Sequence, residues 1–420
     1  MSSPLQRWLQ VSLFNLLLIA TIGVTLRYKI AFSLPFIDQK YLLHAHSHFA
    51  FSGWITMALM VLMVAYLSGE YGPVIFKKYR WVLYANLLTA YGMLLSFPFE
   101  GYGKFSISFS TLSIIANYIF VFRFWRDLDK IKQRNAGHYW FKTALLFNAL
   151  SSLGAFTLAF MMATKNIHQN YYLASVYFFL HFQYNGWFFF AGMGLLTARV
   201  LVPAISPRIL KKIFWLFAIA CVPAYFLSAL WMPIPLWVYI IVVLAAIMQL
   251  AGWVWLISLF KQQLSFIKAN LSISSRRILL LSAIALSIKI LLQLGSTIPS
   301  LSNLAFGFRP IVIGYLHLVL LGVITLFLLG YMVGCKFIFI NKTAIAGIWI
   351  FTAGIIINEI LLMIQGLSGL DYIAISYINE FLLGAACILF TGILIINISQ
   401  LGKSENGLSH KTVGNNCGYL

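Results

Sequence analysis

Charge is scarce in this chain. Only 9% of its 420 residues are charged, and just nine of them are acidic. A soluble globular domain carries about a quarter of its residues as charges, so an ordinary water-facing surface is excluded. Cysteine is scarce too, and Cys221, Cys335, Cys387 and Cys417 form neither a C-x-x-C pair nor a C-x-x-C-H site. That excludes a thiol redox pair and c-type haem attachment; Cys221 and Cys387 read as small core residues. There is no low-complexity segment and no clear internal repeat, and the longest polar connection is Arg126 to Lys142. No domain boundary is visible.

What remains is apolar. Hydrophobic residues make up 61% of the chain, in recurring windows of about 20 residues, the length that spans a hydrocarbon core. Spans in lipid must pair their backbone groups internally, which makes these helices and the fold class all-α, a polytopic membrane protein. The windows predict twelve transmembrane helices, at about 9–27, 42–68, 80–99, 105–124, 141–163, 169–199, 210–232, 234–259, 277–296, 310–334, 343–366 and 373–399. Residues 1–400 read as a single membrane domain and 401–420 as a polar cytoplasmic tail. No small-residue cleavage site follows the first window, which reads as a retained helix.

The net charge of +20 would suggest nucleic acid in a soluble protein. Here 22 of the 29 basic residues fall in one alternate set of loops and six in the other, while Lys289 lies inside a span. That asymmetry is topology: the positive-inside rule places both termini in the cytoplasm, with membrane lipid and no nucleic acid as partner, and a cytoplasmic (inner) membrane as the location.

The most informative short segment is Leu43-His-Ala-His-Ser-His-Phe-Ala-Phe-Ser-Gly-Trp54. Neutral imidazole offers a nitrogen lone pair to a metal or haem iron, and ionisable side chains inside spans are costly and usually functional. At 100° per residue His44 and His48 share a helix face while His46 points nearly opposite, so one helix cannot aim all three at one ion. His48 lies eight residues after Lys40 and His317 eight after Arg309, each roughly 12 Å below the outer edge. His181 lies slightly deeper in the sixth span. His168, His138 and His410 read as solvated or interfacial.

Other buried polar residues suit proton movement or support of a ligand. Glu359 and Glu380 fall in the outer half near the histidine layer, where a carboxylate would orient an imidazole or pair with Arg309. Lys289 sits near mid-membrane with Gln293 one turn on, as part of a proton path or as an interhelical hydrogen bond.

Leu180-His-Phe-Gln-Tyr-Asn-Gly-Trp-Phe-Phe-Phe-Ala-Gly-Met-Gly-Leu195 resembles the sixth span of the haem-copper oxidase subunit I superfamily, particularly its high-affinity branch and the nitric oxide reductases. Gly314-Tyr-Leu-His-Leu-Val-Leu-Leu-Gly322 resembles the tenth span. The resemblance implies that His181 is a ligand of a second metal, copper or another transition metal, and that His317 binds a low-spin haem b. It puts the other low-spin ligand in the histidine-rich entry to the second span; of the residues there we take His48 first and His44 as its substitute, leaving His181 to join His44 or His46 around a second metal or to face a ligand pocket. The departures are as specific. Tyr315 stands where the family carries the high-spin haem histidine, the seventh span Phe214 to Trp231 has no histidine, and Tyr184 follows His181 by three residues, not four. Arg309 replaces the paired arginines that hold haem propionates. The haem-containing membrane proteins of the nitric oxide response resemble the chain about as well.

The expectation is a reduced member of that superfamily, an oxidoreductase-like protein for electron transfer or for oxygen or nitric oxide handling, with an incomplete copper site and a partner redox subunit or quinol. Three other classes stay open: a transporter with buried His, Glu and Lys coupling groups, a cofactor-free assembly or sensor subunit, and a diiron hydroxylase. The last would place its histidine boxes near the cytoplasmic face, opposite to the cluster here.

Overall fold

The computed structural model describes residues 3–200, 205–302, 308–370 and 372–401, so the predicted tail after Leu401, with Cys417 and His410, lies outside the described residues. Among these residues there is no strand. The helices are α1 Pro4–Ala31, α2 Gln39–Tyr71, α3 Ile75–Glu100, α4 Lys104–Asp129 and α5 Gly137–Ala163. Then come α6 at 169–200, α7 Pro207–Cys221, α8 Leu236–Gln262, α9 Ile273–Gly295, α10 Arg309–Gly334, α11 Lys342–Leu370 and α12 Ile378–Leu401.

Ten of the described helices are long and apolar enough to cross a membrane, or eleven if α7 and the 3-10 turn Pro223–Ala229 count as one span bent by 43°. The protein is therefore a multi-pass helical membrane protein. The sixth predicted window, α6, is helical throughout its described length but is not one of the ten. It carries His181, Gln183, Tyr184 and Asn185 in its middle, all buried in the protein interior, and this polar load lowers its hydropathy. The bend in the seventh window comes from Pro223, whose ring cannot continue the hydrogen-bond ladder.

The chain forms two compact units. The first comprises residues up to Phe124, Arg277–Leu279 and the chain from Thr325 onward; the second comprises Trp125–Arg276 and Leu280–Ile324. The chain passes between them inside α4, α9 and α10, at no polar linker, which is why composition shows no boundary.

In the first unit α2 is the central helix, for every residue from Met57 to Leu67 is at most 7% exposed. Helices α11 and α12 pack along their length, with α1 against α12 and α3 against α2. Small residues permit this closeness in lipid, where no hydrophobic force drives helices together. A Cβ on Gly392 would strike the backbone of Phe351, and one on Gly347 would lie 2.9 Å from the Gly392 carbonyl. The second unit packs α5 on α6 and α7 on α8. Its aromatic core surrounds Trp140, with Phe190 at 5.1 Å and Phe214 at 5.2 Å.

Three helices change their winding. Within α2 the residues Ala50–Thr56 are π-helical, as are Phe182–Phe188 and Leu196–Val200 in α6 and Leu318–Thr325 in α10. A π turn displaces carbonyls from the regular ladder, and in a membrane each must find a partner. Neighbouring side chains supply them. Asn86 Nδ2 donates to Ser52 O at 3.1 Å and Asn15 Nδ2 to Gly53 O at 2.6 Å. Ser282 Oγ donates to Val323 O at 2.7 Å, and the Cys221 thiol to Asn185 O at 3.7 Å.

Candidate functional site

The candidate histidines fall in both units. All three of the intramembrane positions weighed above share one local feature. His48 lies two residues before a π segment, and His181 and His317 lie directly before theirs. Single π turns inside α-helices concentrate at functional positions.

On α2, Asp38 caps the helix by accepting the Tyr41 N–H at 2.8 Å. One turn further in, His44 and His48 share a face, as the helical period requires. Both look onto Phe97 at the end of α3 and onto Tyr102 just beyond it. The His48 ring stacks on Phe97 at 4.5 Å, and His44 meets Tyr102 edge-on at 4.6 Å. Gly101 makes this possible: its φ of +59° turns the chain sharply after α3, a conformation that side chains resist. His48 Nε2 lies 3.2 Å from the Tyr102 hydroxyl. His44 Nε2 is buried with no hydrogen-bond partner. His46 points the other way, toward α1, where its Cε1 is 3.5 Å from the place a Cβ on Gly23 would take.

In the second unit His317 Nδ1 lies 2.8 Å from the Ile313 carbonyl one turn back. An imidazole can only donate to a carbonyl, so Nδ1 carries the proton and Nε2 the lone pair. Ligand histidines in proteins are oriented in this manner by an outer carbonyl. Arg309 is exposed in the first turn of the same helix.

His181 is fully buried and differently held. Its Nε2 lies 2.8 Å from the Cys221 carbonyl and its Nδ1 3.0 Å from Asn185 Nδ2. The ring therefore donates at Nε2 and accepts at Nδ1, and both positions are filled. The break at Pro223 makes the carbonyl available, because Tyr225 N–H turns to Val222 O in the 3-10 turn and leaves Cys221 O for the imidazole. Tyr184 and Tyr315 face each other with ring centres 6.3 Å apart, and the Tyr184 hydroxyl also meets Ser228.

Two acidic expectations change. Glu359, expected from sequence to orient an imidazole or pair with Arg309, accepts from Asn358 Nδ2 at 3.2 Å and has Arg27 of α1 as its charged neighbour. Glu380 is exposed in the first turn of α12, where a negative charge complements the helix dipole. Lys289 is buried on α9 and lines a small cavity with Asn185, Cys221 and Gln249. Among the solvated or interfacial histidines, His168 is exposed, but His138 is buried at the start of α5, where its Nδ1 accepts from the Asn135 N–H at 3.1 Å.

The arrangement has a definite chemical reach. On α2 the His44 Nε2 is buried without a bond beside a second imidazole one turn away, which fits a haem ligand; on α10 the Ile313 carbonyl orients His317 for the same role. A second metal is a poorer fit, since both nitrogens of His181 are engaged and, among the described residues, no three His, Cys, Asp or Glu side chains gather where an ion could be held. Phe97, Tyr102, Asn15, Asn86 and Asn185 were not singled out as site residues from sequence. The three asparagines were visible only as polar residues inside apolar windows. Comparison with known proteins returned no matching family model and no matching curated protein, so the site stands on its own geometry.

Proposed function

We propose that this chain is a membrane redox protein of the haem-copper oxidase subunit I type, binding haem b through histidine and lacking the second metal. The resemblance would give His317 of α10 as one ligand and His48 of α2, or His44 in its place, as the other. Counting α6 and the bent α7 as spans gives twelve, with both termini cytoplasmic in the inner membrane.

The observation that carries this reading is the paired imidazole face of α2, half-buried, walled by Phe97 and Tyr102, and holding a nitrogen with no protein partner. A buried unbonded nitrogen costs about 1–3 kcal/mol, a cost that a ligand to it would remove. Such a haem would supply one-electron transfer. The residues of the chain do the rest. Phe97 stacks on the His48 ring, whose Nε2 meets the Tyr102 hydroxyl, so the unbonded nitrogen of this face belongs to His44; the Ile313 carbonyl holds His317 in the tautomer with Nε2 unprotonated. A partner subunit or quinol would deliver the electron.

The test is purification in detergent from a haem-replete host, with reduced-minus-oxidised spectra and metal analysis. A low-spin b-type spectrum is expected, abolished in His317→Ala and in one of His48→Ala or His44→Ala. Protein free of haem and iron would overturn the reading in favour of a transporter or a cofactor-free assembly or sensor subunit, and an unchanged spectrum in His317→Ala would refute these ligands.

A further inference from the structure

Lys289 sits 7% exposed on α9, in a span, and its electrostatic neighbours are Cys221 and His181. A buried ammonium costs several kcal/mol unless an opposite charge or strong hydrogen bonds accompany it. The unit that contains Lys289 is almost devoid of such charge. Of the nine acidic residues of the chain, only Asp127 and Asp129 belong to it. Both lie at the far end of α4, where Asp129 is taken by Lys142 at 2.5 Å and Arg134 at 3.7 Å.

The neighbours of Lys289 do not supply the charge. Cys221 Sγ points at the Asn185 carbonyl at 3.7 Å, an acceptor that requires the protonated thiol. His181, donating at one nitrogen and accepting at the other, is neutral. What the lysine does face is a cavity of about 10 Å³ lined by Asn185, Cys221, Gln249 and the apolar walls Phe189, Phe217 and Leu286. That is room for one water-sized guest. The thiol proton is spent on the Asn185 carbonyl and the Asn185 amide on His181 Nδ1, which leaves the Lys289 ammonium and the Gln249 amide as the donors on its wall.

We propose that this cavity binds one small monovalent anion of halide size, with the Lys289 ammonium as its counter-charge and the Gln249 amide as a second donor. The pair is neutral as a whole, which is what a low-dielectric surrounding selects. This site is independent of the haem reading, using none of the residues assigned to it.

The experiment is equilibrium binding of radiolabelled chloride to the detergent-purified full chain, with ionic strength held constant by gluconate, and it can be run whatever the haem content. Saturable binding of about one chloride per chain is expected, displaced by bromide but not by gluconate. Lys289→Met should abolish it, and Gln249→Leu should weaken it roughly tenfold through loss of one charge-assisted hydrogen bond. Both variants are compared with the parent by gel-filtration profile, and if Lys289→Met aggregates, Gln249→Leu decides. No saturable chloride binding in the parent chain, meaning a water beside a neutral lysine, would overturn the proposal; so would binding unchanged in a well-folded Lys289→Met or Gln249→Leu.

Discussion

His181 and His317 sit in comparable membrane windows, each one residue before a π segment, yet their nitrogens are used differently. His317 spends its proton on its own helix, while His181 bridges α6 to the Cys221 carbonyl and accepts from Asn185 one turn on. Removing His181 leaves two buried groups without a partner, and each such group costs about 1–3 kcal/mol. His181→Leu should therefore lower the thermal unfolding temperature while leaving metal and haem content unchanged, and metal lost together with His181 would assign it a ligand role instead. From sequence alone the two histidines look alike, because a carbonyl released by a proline on another helix leaves no mark near residue 181.

At the scale of the element, the helical period carried far. The 100° rotation put His44 and His48 on one face with His46 opposite, as the Phe97, Tyr102 and Gly23 contacts bear out. The π segments were not legible, since a wider turn depends on which neighbour can satisfy its displaced carbonyls, here Asn15, Asn86, Ser282 and Cys221. The seam between α11 and α12 illustrates the same dependence. Glycine at 347, 354 and 392 is unremarked in an apolar sequence, but in the fold these positions bring two backbones together. Gly392→Ala would press a methyl group onto the Phe351 backbone, and overpacking of this kind costs about 1–3 kcal/mol. Thermal unfolding in detergent should show a clear destabilisation, whereas Gly384→Ala, with nothing within 4 Å of the added carbon, should not.

At the scale of the molecule, the proposed orientation rests on the uneven distribution of 22 and six basic residues between alternate loops. A reporter that fluoresces only in the cytoplasm, fused after Gln400, should be active, and one inserted between Gly101 and Lys104 inactive; the reverse pattern would invert the topology. The sequence by itself determined that this is a multi-pass helical protein, where its apolar windows lie, and which histidines can share a face. Those follow from local composition and from the fixed period of the α-helix. The tertiary structure alone decided that the chain forms two units divided within helices, that Arg27 is the charged neighbour of Glu359, that His181 is saturated, and that Lys289 faces a cavity in a unit nearly free of acids. Each of these is a pairing between residues far apart in the chain. The need to satisfy a buried polar group is written in the sequence, but the partner that satisfies it is fixed only by packing.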